Sequence, residues 1–435
     1  MTVEMPALVR RRPPPTGWPS LLPLLGLWLL VGLLRTGATS GRLIGDEGPL
    51  LADAHSLLRG HYATPGTLDG VLYLWHGPGL PLLLAPMIWL GVPLDAMRLV
   101  CGPLLLFGAI VAFRRLLLLR LPPGRALAGA YAFGLYLPFG YLMGSLTKES
   151  LALLLIVTAL TAITRALDGG GRLHVVLAGA ALAALVAVRV EYGWALIVTT
   201  AGALAWALAR RRSRAARRFL AVCAVGLVGC VPWLVYTHAV TGRTLYWGNS
   251  GGLSLYWMSS PSAAQLGEWH AVHTVFQDPR LAAYRPLFRR VDRLTPLQQD
   301  TALRRVAVRQ VEAHPGKFLL NIGANAGRML VAVPLGIDLA VPLVVLYAAC
   351  NLLLLAALGW ALRCIRRRGR ASPEAPAIAL LAGAGFLVHL LPSAEPRMFM
   401  PLVPLFIALA AQGWQAFDVR PGSRTRSRDV HAMTR

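Results

Sequence analysis

Long apolar runs separated by short arginine-rich breaks dominate the chain. A membrane-spanning helix needs about 20 mostly apolar residues. Ten runs qualify once the arginines between them decide which ones cross: 18 to 36, 96 to 119, 125 to 145, 149 to 166, 173 to 189, 191 to 209, 219 to 239, 338 to 361, 375 to 391 and 397 to 417. The pattern predicts an all-α integral membrane protein of about ten transmembrane helices. If the chain starts on the inner side it also ends there.

That orientation collects Arg10 to Arg12, Arg114, Arg115, Arg120, Arg125, Arg165, Arg172, Arg210 to Arg212, Arg363 and Arg366 to Arg368 on the inner face. The short outer loops keep only Arg35, Arg42, Arg59, Lys148, Arg189 and Arg397. This is the asymmetry that orients membrane proteins. Two further runs, Gly79 to Leu94 and Phe318 to Ile337, are interrupted by Pro, Gly or Asn. Counting either alone as a span reverses every later loop, and counting both strands Arg210 to Arg218 outside. Both are therefore read as helices lying in the outer interface. The first span also imitates a cleaved signal, with Arg10 to Arg12, a Leu-rich run and Ala38-Thr39-Ser40, and the later topology is the same either way.

The resulting organisation is a basic cytoplasmic N-terminus (1–17), a transmembrane region (18–239) containing a first extracytoplasmic loop at 36–95, and a large extracytoplasmic loop (240–337). A C-terminal transmembrane region (338–417) and a basic, disordered cytoplasmic tail (418–435) follow. In the large loop, Thr295-Pro296-Leu297-Gln298 reads as a capping box with proline in the first turn, and His314-Pro315 as the stop of that helix.

Composition supports the membrane reading. The 435 residues are 56% hydrophobic and only 14% charged, with a mean hydropathy of +0.57, whereas soluble domains carry about 25% charged residues. The formal charge of +24 does not signify nucleic acid, because the bases fall between apolar runs and not on one soluble face. Only Lys148 and Lys317 are lysine; the preference for arginine points to GC-rich coding and a bacterial plasma membrane. The five cysteines lie in or beside apolar runs with no paired or zinc-type spacing. Neither a metal nor another cofactor is expected, and no glycine fingerprint for a nucleotide is present.

Acidic residues are sorted as well. Of nineteen, only Glu4, Asp168, Glu374, Asp418 and Asp429 fall inside. The long outer loops could simply hold more polar residues, or the fourteen outer carboxylates could line a cleft. Asp46 and Glu47 stand about ten residues beyond the first span, where a carboxylate avoids the roughly 2.5 to 3.5 kcal/mol cost of a helix centre.

Here the sequence resembles a family. Asp46-Glu47 shortly after a span, a following helix ending Leu57-Leu58-Arg59-Gly60, and His76-Gly77-Pro78-Gly79-Leu80-Pro81 resemble the first extracytoplasmic loop of polytopic glycosyltransferases with the GT-C fold. The group meant is the family 39-like one, containing protein O-mannosyltransferases and lipid A aminoarabinose transferases. Gly242 to Gly252 (GRTLYWGNSGG), His314 to Phe318 and Glu395 to Pro404 (EPRMFMPLVP) resemble later motifs, with Met398 at the family's tyrosine.

The resemblance implies transfer of a sugar, with inversion, from a polyprenyl-phosphate carrier to a hydroxyl of a lipid, protein or polysaccharide acceptor, outside the bilayer. Asp46 is then the expected general base and Glu47 an orienting carboxylate. Arg397, whose planar fork suits phosphate, and His76 would face the leaving phosphate. Glu395 is expected beside Arg397, as an ion-pair partner or in the substrate site. Glu149, Arg189 and Glu191 flank span junctions, where ion pairing, interface anchoring and substrate contact are all open. Asp53 and Asp69 have no assignable role. Tyr246, Trp247, Tyr256 and Trp257 suit either an interfacial belt or stacking on a sugar. The rival class is a non-catalytic lipid-linked-sugar flippase or solute transporter, which would put ionisable residues near mid-span. An O-antigen ligase or polymerase is a third option that the Asp-Glu pair disfavours.

Overall fold

A computed structural model describes residues 17–62, 74–333, 341–368 and 372–418, without the side chains of 368 and 414–418. Glu4, Asp69, Asp429 and the tail lie outside the described residues. Within them every regular element is helical. Among the described residues seven helices are long and apolar enough to cross a membrane, and the protein is a multi-pass membrane protein.

The helices used below are α1 (Leu22–Thr39), α2 (Glu47–Leu58), α3 (Gly79–Trp89), α4 (Leu94–Leu118), α5 (Pro123–Gly134), α6 (Glu149–Leu167), α7 (Arg172–Val188) and α8 (Tyr192–Ala209). There follow α9 (Arg214–Thr241), α10 (Gly251–Met258), α11 (Pro296–Ala313), α12 (Pro315–Val331), α13 (Val341–Arg368), α14 (Ala375–Leu390) and α15 (Val403–Asp418).

The span expected at 125 to 145 is not continuous. It divides into the 12-residue α5 and a short 3-10 segment, Leu137–Leu142, because Gly134 has a low helix propensity and Pro138 has no N–H to give. The runs at 173 to 189 and 375 to 391 form helices of 17 and 16 residues, shorter than the usual span. The Gly79 to Leu94 run gives an 11-residue helix. In α4, one turn widens to π geometry around Pro103, which has no N–H to give.

α6 is largely buried and packs against α4, α7 and α9, whereas α13 lies on the outside against α15. Exposed Leu30, Leu33, Leu34, Val228, Val235, Leu352 and Leu353 clothe the exterior in apolar side chains, as lipid contact requires.

The bundle has two chemically distinct ends. At one, Arg120 joins Glu374 (2.7 Å) and Asp168 (2.5 Å), and Arg218 donates to the Ala166 carbonyl (3.1 Å). At the other, the segments after α1, before α3, before α6 and between α7 and α8 converge beneath the 242–331 loop region. That region has its own core of Leu253, Tyr256, Trp257, Val275, Phe288 and Leu303, with Trp257 stacked on Phe288 at 5.5 Å. Tyr256 and Trp257 are buried packing residues there and form no exposed belt.

One detail of this region follows the sequence expectation. The Thr295 hydroxyl accepts from the Gln298 N–H and the Gln298 side chain accepts from the Thr295 N–H, completing the capping box of α11. α12 turns its polar stripe of Lys317, Asn321, Asn325 and Arg328 inward onto backbone carbonyls, while Leu319 and Leu320 face out. That polarity is the reverse of a soluble surface helix.

Candidate active site

Asp46 precedes the first turn of α2, and Glu47 opens the helix. One residue of displacement sends the two carboxylates to different places. Glu47 is fully buried against Arg98, which donates Nε at 2.8 Å and Nη2 at 2.7 Å, while the Ile44 and Leu146 N–H groups donate to the same carboxylate at 2.8 Å each. Arg98 also donates to Asp95 at 2.9 Å and to the Thr39 and Arg42 carbonyls. Glu47 is thus a latch joining α2, α4 and the chain before α6. It does not reach the cavity where an orienting carboxylate would be needed, and the expectation for it is revised accordingly.

Asp46 keeps about a third of its side chain exposed (34%) and faces a cavity of about 650 Å³. Seven of the eight residues expected from the sequence line this cavity: Asp46, His76, Glu149, Arg189, Glu191, Glu395 and Arg397. They come from five separate stretches of chain. Arg397 Nη1 is 3.9 Å from Asp46 Oδ2, and its Nε is 2.7 Å from Glu395. Arg189, buried, bridges Glu149 (3.1 Å) and Glu191 (2.6 Å). Met398, at the position of the family's tyrosine, places its sulfur against the Arg189 guanidinium.

His76 enters from the loop before α3. Gly77 and Gly79 let this loop lie directly on the end of α7: a Cβ at Gly77 would come within 2.0 Å of the Ala187 carbonyl oxygen, and one at Gly79 within 2.5 Å of Val188. Lys148 Nζ lies 2.9 Å from His76 Nδ1. With the ammonium donating, the imidazole accepts at Nδ1 and carries its own proton at Nε2.

The electrostatics divide these groups. Burial, reinforced by the charge of Lys148, lowers the His76 pKa to about 3, so the ring is neutral at pH 7. Burial alone would raise the Asp46 pKa. His76, Lys148, Arg397 and Arg189 together bring it below 3.8. Burial also lowers Lys148, against the pull of Glu191 and Asp46. Burial would raise the Glu191 pKa, but Arg189, the His389 hydrogen bond and Lys148 together hold it well below the ordinary range. Asp46 is therefore an ionised carboxylate among cations at the edge of an open space, which is the state a proton acceptor needs.

Sequence reasoning did not single out Trp75, Arg243, Trp269, Arg304 or His389 as site residues, and it weighed Lys148 only as a span-junction residue beside Glu149; all of them line the cavity. Lys148 carried a signal, being one of two lysines in a chain rich in arginine. Arg304 carried none, because a basic residue on an amphipathic loop helix reads as solvated. Tyr246 and Trp247 line the cavity but are mostly buried, at 8% and 4% exposure. Behind the site, Asp53 is buried within 3.3 Å of the Tyr62 hydroxyl, which donates to the His76 carbonyl at 2.8 Å.

No family model matches this chain, and no curated protein does. Among solved structures, it is similar to ArnT from Cupriavidus metallidurans bound to undecaprenyl phosphate, with 15% identity and a TM-score of 0.38 over 93% of this chain and 78% of that one. It is also similar to the apo form of the same protein, with 16% identity and a TM-score of 0.38 over 92% and 77%. A superposition this loose carries no conclusion about chemistry, which has to come from the cavity itself.

Proposed function

We propose that this protein is a membrane glycosyltransferase that moves a sugar from a polyprenyl-phosphate carrier to a hydroxyl acceptor on the extracytoplasmic side, with inversion at the anomeric carbon. The observation that carries the reading is the cavity: Asp46 projects into about 650 Å³ of space walled by Lys148, Arg189 and Arg397.

In the proposed reaction the acceptor oxygen attacks C1 as the C1–O bond to phosphate breaks, and the acceptor proton passes to Asp46. The carrier phosphate leaves with the bonding pair. A carboxylate with a low pKa suffices as base, because the attacking hydroxyl becomes acidic only as its bond to an oxocarbenium-like carbon forms. Arg397 sits beside Asp46 and supports positive potential around the reacting atoms. His76, neutral, serves as a hydrogen-bonding group and not as a cation. Glu395, Glu149 and Glu191 hold Arg397 and Arg189 in place and shape the polar wall that meets sugar hydroxyls. Glu47 acts through position only, fixing the turn that presents Asp46.

The test is Asp46→Asn in membranes supplied with labelled polyprenyl-phosphate sugar. The expected outcome is a fall in transfer of roughly 10²- to 10⁴-fold, the usual worth of a general base, with expression and unfolding temperature retained. Transfer near the unsubstituted rate would overturn the assignment.

A further inference from the structure

The cavity has a second wall, supplied by the loop region, on which cations outnumber carboxylates. On the membrane-side wall, Lys148, Arg189 and Arg397 face Asp46, Glu149, Glu191 and Glu395. On the loop wall, Arg243 and Arg304 share one carboxylate, Asp300, whose side chain is completely buried. The first wall thus sets three cations against four carboxylates and the second two guanidinium groups against one, so an entering anion is drawn more strongly to the second.

The second wall is built. Asp300 accepts from the Gly252 N–H (2.6 Å), the Tyr246 hydroxyl (3.1 Å), Arg243 Nη1 (3.4 Å) and Arg304 Nη2 (3.2 Å). Arg243 is fixed further by a hydrogen bond to the Thr301 hydroxyl and by the Tyr246 ring, 5.1 Å from its guanidinium carbon. Arg304 is tethered through Nη2 and remains 47% exposed. The Gly251-Gly252 pair makes this possible, since a Cβ at Gly252 would lie 2.1 Å from the Asp300 carbonyl oxygen and one at Gly251 3.0 Å from Arg304 Nη2. The first turn of α10 consequently presses against α11 and adds its positive end to the two guanidinium groups.

We infer that Arg243 and Arg304, aligned by Asp300, form an oxyanion subsite for a phosphate-class group on the loop wall of the cavity. It rests on the proposed function only in taking the cavity as the substrate chamber. Arg397 is ion-paired with Glu395 at 2.7 Å and lies 3.9 Å from Asp46, so its charge is opposed by two carboxylates and the loop wall supplies the principal anchor for the anion.

The experiment measures binding without turnover. Purified full-length protein is titrated with farnesyl phosphate, with farnesol and with inorganic phosphate, followed by the fluorescence of the cavity tryptophans Trp75, Trp247 and Trp269. The double variant Arg243→Gln/Arg304→Gln is expected to bind farnesyl phosphate at least about tenfold more weakly, the worth of one lost charge-assisted hydrogen bond, with farnesol binding unchanged. Arg304→Gln alone, at an exposed position, should reproduce part of the loss, and Arg304→Lys should restore some of it. Competition by inorganic phosphate that disappears in the double variant assigns the subsite to the anion alone, whereas failure to compete assigns it to a lipid-borne headgroup. Equal affinity of the unsubstituted protein and Arg304→Gln, or a larger loss in Arg397→Gln than in the double variant, overturns the inference. Failure of the base assignment is separate: Asp46→Asn should bind farnesyl phosphate no more weakly than the unsubstituted protein, whatever it does to transfer.

Discussion

The two ends of the bundle use the same residue types to opposite effect. At one end Arg120 is in ion pairs with Glu374 and Asp168, so that three inter-helix connections are tied by one guanidinium. At the other, carboxylates and cations stand around about 650 Å³ of space. Charge alone therefore does not mark a site. What separates the ends is whether the paired groups also face room for a substrate, and the Glu47–Arg98 latch shows that a single end can hold both arrangements, one residue apart.

The sharpest way to break this division is Glu47→Gln. If Glu47 belongs with the structural charges, its loss should lower stability by about 3 kcal/mol, the low end of the 3–5 kcal/mol for breaking a buried pair, because Asp95 still holds Arg98. Folded Glu47→Gln protein should keep its acceptor KM. Unaltered unfolding in detergent together with a raised acceptor KM would move Glu47 back among the substrate-contacting residues.

Arg120→Ala tests the opposite end. Glu374, with its side chain 2% exposed, loses its main partner, and a hydrogen bond to a charged group is worth about 1.5–3 kcal/mol. Stability should fall by that amount with donor and acceptor KM unchanged. A changed KM would mean that the clamp end is coupled to the cavity, and the two ends could no longer be treated as independent.

Much of this arrangement was legible in the chain. Arginine placement assigned the connections holding Arg120, Asp168, Arg218 and Glu374 to one face, and the structure brings those groups to one end. The motifs at 46, 76, 149, 189–191 and 395–397 were expected outside, and they meet at one cavity. What the sequence did not disclose was partnership. Asp46 and Glu47 read as equivalent neighbours, and only the direction of the chain at the start of α2 sends one to Arg98 and the other to open space. The broken stretch at 125 to 145 was misread because average hydropathy ignores the low helix propensity of Gly134 and the missing N–H of Pro138. Asp53 had no visible role, since its burial depends on Tyr62, which is nine residues away.

The finest distinction between the ends concerns protons. Behind the cavity, burial raises the Asp53 pKa to about 7, against the opposing effects of the Tyr62 hydrogen bond and Lys148, while burial lowers that of His76 to about 3. At the clamp, burial would raise the Glu374 pKa, but Arg120, with hydrogen bonds from the backbone and Ser372, holds it below its ordinary 4.5. The consequences for stability have opposite signs. Between 3.8 and about 7 the folded state binds more protons at Asp53 than the unfolded chain does, so this residue makes stability fall as pH rises. Between about 3 and 6.5 the unfolded chain binds more protons at His76, so that residue makes stability rise with pH. The two slopes oppose each other across their shared range, and single substitutions should separate them. Asp53→Asn is expected to leave unfolding temperatures that climb with pH up to about 6.5, and His76→Gln to leave temperatures that decline towards pH 7. The same slope in both variants would mean that the two groups are not held in these states, and the hydrogen-bonded link from Asp53 through Tyr62 to the His76 backbone would then have no part in setting the protonation of the cavity wall.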